Sequence, residues 1–164
     1  GAIRQMRKAI EWDPNSPPFH HDLAILLSTT GDIQGAIASL KEAQRLDPRN
    51  AEYPFKLGLA YSETGQLPMV ISSLQKAVEL DSGLSRAWYN LGLALNSAGQ
   101  KLEAIKALEQ GESAEPSDAT IPYARATILA GMGRRQEALA AATRALQLRP
   151  EHPEAQQLIY SLSR

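Results

Sequence analysis

A spacing of 34 residues runs through this chain of 164 residues and leaves it few folds to adopt. Pro14, Pro48, Pro116 and Pro150 fall on it, with Ser82 in the remaining slot, and Gly31, Gly65, Gly99 and Gly133 keep the same step. So do Ala9, Ala43, Ala77, Gly111 and Ala145. Three further columns agree: Ala2, Ala36, Val70, Ala104, Ala138; Ile3, Ile37, Ile71, Ile105, Leu139; and Met6, Leu40, Leu74, Leu108, Ala142. A fixed period of this length means one supersecondary unit repeated along the chain, each copy burying its apolar face against its neighbours.

Composition makes that unit helical. The chain has 25 alanines and 22 leucines against two valines, Val70 and Val78, a bias toward good helix formers over sheet-packing side chains. Over 85–98, Trp88, Leu91, Gly92 and Leu95 recur at i, i+3, i+4 and i+7, the stripe of one helix face. Gly99 follows where a left-handed C-terminal cap is wanted. A second helix is expected over 101–114, with Ala104, Ile105, Leu108 and Gly111 inward, and Pro116 ends it because proline cannot continue the hydrogen-bond ladder. Each unit is therefore predicted to be a helical hairpin. Ala24, Gly58, Gly92 and Ala126 on first helices let neighbouring axes come close, and Pro54, Pro68, Pro122 and Pro153 mark helix starts, where a missing N–H costs nothing.

In Trp88, Leu91, Gly92, Ala104, Leu108 and Pro116, and in Leu57, Gly58, Tyr61, Leu74 and Ala77, the chain resembles the tetratricopeptide repeat family along its whole length. KLGLAYSETGQ (56–66) and NLGLALNSAGQ (90–100) are near copies. The resemblance implies an all-α fold, a right-handed α-solenoid whose first helices line a concave side. The register divides a single domain, 1–164, into full repeats at 17–50, 51–84, 85–118 and 119–152, preceded by the second helix of a truncated repeat (1–16) and followed by a closing helix (153–164). Arg125 stands where Leu23, Leu57 and Leu91 recur, and His20, Pro54 and Pro122 stand where Trp88 does, so the fourth repeat is expected to pack less tightly at its first helix. Ile3, Met6 and Ile10 lack the helix that would cover them, which reads as a piece of something longer and as a stripe for weak self-association.

No chemistry of catalysis is visible. There is no cysteine, His20 and His21 point about 100° apart on a helix, and no metal, phosphate or calcium motif occurs, so no cofactor is expected. A net charge of −1 lacks the basic excess that nucleic acid requires, and the apolar runs are far too short for a membrane span. The compartment is left open, with the cytoplasm favoured over an exported one.

What remains is surface. Opposite the Trp88 stripe lie Arg86, Tyr89, Leu93 and Asn96 at i, i+3, i+7 and i+10, and the same columns hold His21 and Ile25, Phe55 and Leu59, Tyr123 and Thr127. A ring beside an aliphatic residue thus recurs every 34 residues, with Lys56 and Asn90 next to it. One reading has the rings roof the core; the other makes this face a peptide-binding groove. The family's chaperone-tail clamp is absent, since His21, Phe55 and Tyr89 supply no lysine and Ile25, Leu59 and Leu93 no asparagine. The expected function is a non-enzymatic scaffold that binds a peptide or helix of a partner protein in the concave groove. The alternative is a substrate-recruiting or regulatory arm of a larger enzyme, such as a glycosyltransferase-like protein.

Overall fold

The computed structural model describes residues 1–164 as ten α-helices without a strand. They form two compact units, Gly1–Asp81 and Ser82–Arg164, a division that falls just before the end of the second full repeat. The first unit contains α1 (Ala2–Trp12), α2 (Pro17–Thr29), α3 (Ile33–Leu46), α4 (Glu52–Glu63) and α5 (Leu67–Leu80). The second contains α6 (Ser85–Ser97), α7 (Lys101–Ala114), α8 (Thr120–Gly131), α9 (Arg135–Leu148) and α10 (Pro153–Ser163). The hairpins are α2 with α3 and α4 with α5 in one unit, and α6 with α7 and α8 with α9 in the other.

Local chemistry sets the helix ends. After each first helix of a hairpin a glycine takes positive φ: Gly31 at 84°, Gly65 at 70°, Gly99 at 79° and Gly133 at 74°. The next N–H then reaches back five residues, from Asp32 to the Leu27 carbonyl at 2.9 Å, Gln66 to Tyr61 at 3.0 Å, Gln100 to Leu95 at 2.9 Å and Arg134 to Leu129 at 3.0 Å. These bonds satisfy carbonyls that a helix end leaves open. Second helices end in extended backbone at Asp13, Asp47, Glu115 and Arg149, each preceding a proline that disfavours helical geometry. Asp81, followed by Ser82, takes the same form (φ −143°, ψ 98°), so the turn does not depend on the ring.

Close crossing within a hairpin follows from the small-residue column. A Cβ on Gly58 would lie 2.7 Å from Leu74 Cγ, and one on Gly92 would lie 2.7 Å from Leu108 Cγ. Leu74 and Leu108 are fully buried in the space the glycines leave. In the fourth repeat the two columns hold Ala126 and Ala142, both fully buried, and the inward face of α9 is alanine throughout: Ala138, Ala141, Ala142 and Ala145.

The looser packing expected of the fourth repeat is not found. Ile121, Pro122, Ala126 and Leu129 on α8 are all buried to within 2%. Arg125 is accommodated by carboxylates of α7, with its guanidinium 3.0 Å from Glu112 and 3.4 Å from Glu109. Burial holds the Glu112 carboxyl above the usual glutamate range even though Arg125 pulls it down. At the N-terminal end, Ile3, Met6 and Ile10 are half-buried, because α1 packs on α2, while Trp12 is 84% exposed.

Candidate ligand-binding face

In the first unit, α2 and α4 present His21, Ile25, Lys56 and Leu59 around one cavity of about 190 Å³, which Ser28 and Glu63 also line. The 3.6-residue period puts Ile25 one turn after His21 and Leu59 about one turn after Lys56. Ile25 is 43% exposed, whereas Leu59 is half-buried. His21 turns Nδ1 toward Asp22 Oδ1 at 3.6 Å and leaves Nε2 buried without a hydrogen-bond partner. Its ring also leans on Tyr53, with centroids 5.6 Å apart. Lys56 pairs with Glu52 on its own helix at 3.5 Å, an exposed bond that a ligand carboxylate could replace at little cost. Phe55 is corrected by the structure: at 4% exposure its ring belongs to the core and offers no surface.

The corresponding face of the second unit is on α6 and α8. Leu93 is 37% exposed, Tyr89, Asn90 and Asn96 are half-buried, and Arg86 is exposed. Asn90 does not offer its amide outward, since Nδ2 donates to the Arg86 carbonyl at 2.7 Å. Thr127 likewise spends its hydroxyl on the Ala124 carbonyl at 2.7 Å. Tyr123 packs its ring against His152, with centroids 4.7 Å apart. The ring column therefore combines both readings of the sequence: three of its members pack inward or on rings, and the aliphatic row keeps Ile25 and Leu93 exposed.

His152 was invisible to sequence reasoning as a structural residue. It is 4% exposed, sets its ring at a tilt against Tyr123 and meets Glu154 through Nδ1 at 2.9 Å. The Glu154 carboxyl is held below its usual range first by its own backbone N–H and then by His152. A histidine placed just before a helix with an acid two residues on was the available signal, but nothing in the sequence brings Tyr123 to it.

No helix is long and apolar enough to cross a membrane. Tetratricopeptide-repeat models match residues 6–38, 29–65, 85–118 and 123–157. No curated protein sequence matches the chain. Among solved structures, a crystal structure of MamA is similar with 31% identity and a TM-score of 0.86, covering 92% of this chain and 88% of that one. PilF of Pseudomonas aeruginosa shares the fold at 22% identity and a TM-score of 0.82, covering 99% and 76%. YrrB, described as a TPR protein with an unusual peptide-binding site, shares it at 22% identity and a TM-score of 0.63, covering 93% and 96%. Proteins built from these repeats generally act as non-catalytic scaffolds for protein interaction. With helical hairpins in the 34-residue register, glycine-capped first helices and these likenesses, the chain belongs to the tetratricopeptide-repeat family.

Proposed function

We propose that the chain binds a peptide segment of a partner protein on the face of its first helices, with apolar side chains as anchors. The observation that carries this reading is that His21, Ile25, Lys56 and Leu59, selected by register alone, line one cavity between α2 and α4. That cavity has room for an aliphatic side chain, and the amine of Lys56 can meet a polar group beside it. In the second unit the anchors are Tyr89 and Leu93, with Arg86 and Asn96 beside them and Tyr123 and Thr127 on α8. The peptide-binding site described for YrrB is a precedent for the fold. The α1 stripe adds weak self-association, small because Ile3, Met6 and Ile10 are already partly covered by α2.

Peptides selected from a displayed random library against the intact chain test the reading. The best binder should weaken by at least about 30-fold in Tyr89→Ala if it seats on the second unit, or in Leu59→Ala if it seats on the first, by the rule that about 1.4 kcal/mol is tenfold. Lys106→Ala, on the exposed side of α7, should change nothing. Selected peptides that bind every one of these variants as they bind the wild type would sink the proposal.

A further inference from the structure

The cavity between α2 and α4 carries a charge pattern that the repeat does not explain. Its lining runs from His21 to Thr29 along α2 and from Lys56 to Glu63 along α4. Both helices belong to complete hairpins, α2 with α3 and α4 with α5, and the buried Leu40 of α3 lines the cavity with them. Lys56 already has a partner in Glu52. Glu63, two helical turns further on, is exposed and makes no ion pair. It is the last residue of α4, as Thr29 is the last of α2, so two helix C-terminal ends, each with partial negative charge, line the cavity together with its carboxylate. The same column holds Thr29, Ser97 and Gly131 in the other repeats, so the carboxylate is particular to this site.

We infer that the peptide segment bound here carries a lysine or arginine close to its aliphatic anchor, an inference that rests on the peptide-binding reading above. Ile25 and Leu59 take the aliphatic side chain, and Glu63 takes the cation. The carboxylates that the lining residues carry or contact are Asp22, Glu52 and Glu63, against the single amine of Lys56. An acidic segment could displace Glu52 from Lys56, but only against the repulsion of these three carboxylates. A basic segment gains an ion pair and breaks none.

A displayed peptide library with a fixed central leucine and random neighbours, selected in parallel on the intact chain, on Glu63→Lys and on Ile25→Ala, tests the inference. Peptides that the wild type retains and Ile25→Ala loses are those seated in this cavity. Among them, lysine or arginine should be enriched at a fixed distance from the leucine, and on Glu63→Lys the enrichment should vanish or turn acidic. With one such peptide followed by fluorescence anisotropy, replacing its basic residue by serine should weaken binding to the wild type about threefold or more, and should cost nothing on Glu63→Gln. The difference should shrink as salt rises. Circular dichroism of the Glu63 and Ile25 variants should match the wild type, because Glu63 is exposed and Ile25 is 43% exposed. The inference fails if cavity-seated peptides show no basic preference or if that preference survives Glu63→Lys, and in both cases the proposed function stands. It fails as well if the basic peptides bind Ile25→Ala undiminished, as a general attraction to the chain's carboxylates would have them do. If no selected peptide depends on Ile25, the peptide-binding reading itself falls for the first unit.

Discussion

In the third repeat α6 crosses α7 at Gly92, where a Cβ would meet Leu108 Cγ at 2.7 Å and the Ala104 carbonyl oxygen at 3.3 Å. In the fourth, α8 crosses α9 with Ala126 and Ala142 in the same columns, and both are as fully buried as Leu108. One hairpin joins the smallest residue to a large one and the other joins two small ones. The difference teaches that a close crossing can be filled either by a glycine facing a leucine or by two facing alanines, because what a packed interior requires is the absence of empty space rather than a particular residue. A second contrast follows the same logic in charge. Leu91 is 3% exposed in its column, whereas Arg125 keeps that column half-buried by pairing with Glu112.

The largest expected effect comes from converting one hairpin toward the other. Leu108→Ala alone should cost about 3 kcal/mol, within the usual range for emptying a buried leucine site, and Gly92→Ala alone about 1–3 kcal/mol from overpacking. The double variant, which carries the fourth repeat's pair, should be more stable than the sum of the two losses by about 1 kcal/mol or more in urea denaturation. Strict additivity would mean that the two columns do not share one space.

Next in size is the cap. Gly99→Val should destabilise by more than about 1 kcal/mol, because a β-branched residue resists the positive φ held there. Gly131, near the end of α8 with open space around its Cβ position and no positive φ, is the control. Gly131→Ala should leave the melting temperature unchanged or raise it slightly. Equal losses at the two sites would detach the 34-residue glycine column from its backbone cause.

The charged column gives a smaller effect. A partly buried ion pair can often be replaced by apolar residues without loss, so Arg125→Leu combined with Glu112→Leu should match or modestly exceed wild-type stability, while Arg125→Leu alone should fall below both. Stability that drops most in the double variant would show the pair to be essential to α8.

Smallest is the pH dependence of Glu112. Its carboxyl titrates above the usual glutamate range in the folded chain, so the folded state holds the proton more tightly than the unfolded state. Stability from this group is therefore present below the unfolded pKa and is lost as pH rises through the folded one. Relative to Glu112→Gln, the wild type should gain stability on acidification from neutral pH toward the ordinary carboxylate range. A constant difference across that window would show that Glu112 does not titrate abnormally.

Much of the fold was legible because the decisive interactions are local. The stripe of Leu91, Gly92 and Leu95, the glycine after each first helix and the proline after most second helices act within a few residues of themselves. The same register brought His21, Ile25, Lys56 and Leu59 to one cavity. It could not tell that Phe55 turns inward while Leu93, in the neighbouring aliphatic column, stays exposed. Nor could it show that Asn90 and Thr127 would satisfy their side chains on their own helices. The periodic pattern fixes which face a residue is on, but not the rotamer its side chain takes or how far the neighbouring helix covers it.

The sequence by itself determined the hairpin, its length, its caps and the columns that must be small, because periodicity and backbone chemistry recur in copy after copy. Tertiary structure alone decided which surface each copy exposes. His152 covers Tyr123 from 29 positions away, Glu109 and Glu112 receive Arg125 from the preceding helix, and α2 meets α4 to shape the cavity that Glu63 lines. Those partners lie outside the pattern that repeats, so a column of the sequence can name a face but not what the neighbouring helix leaves open on it.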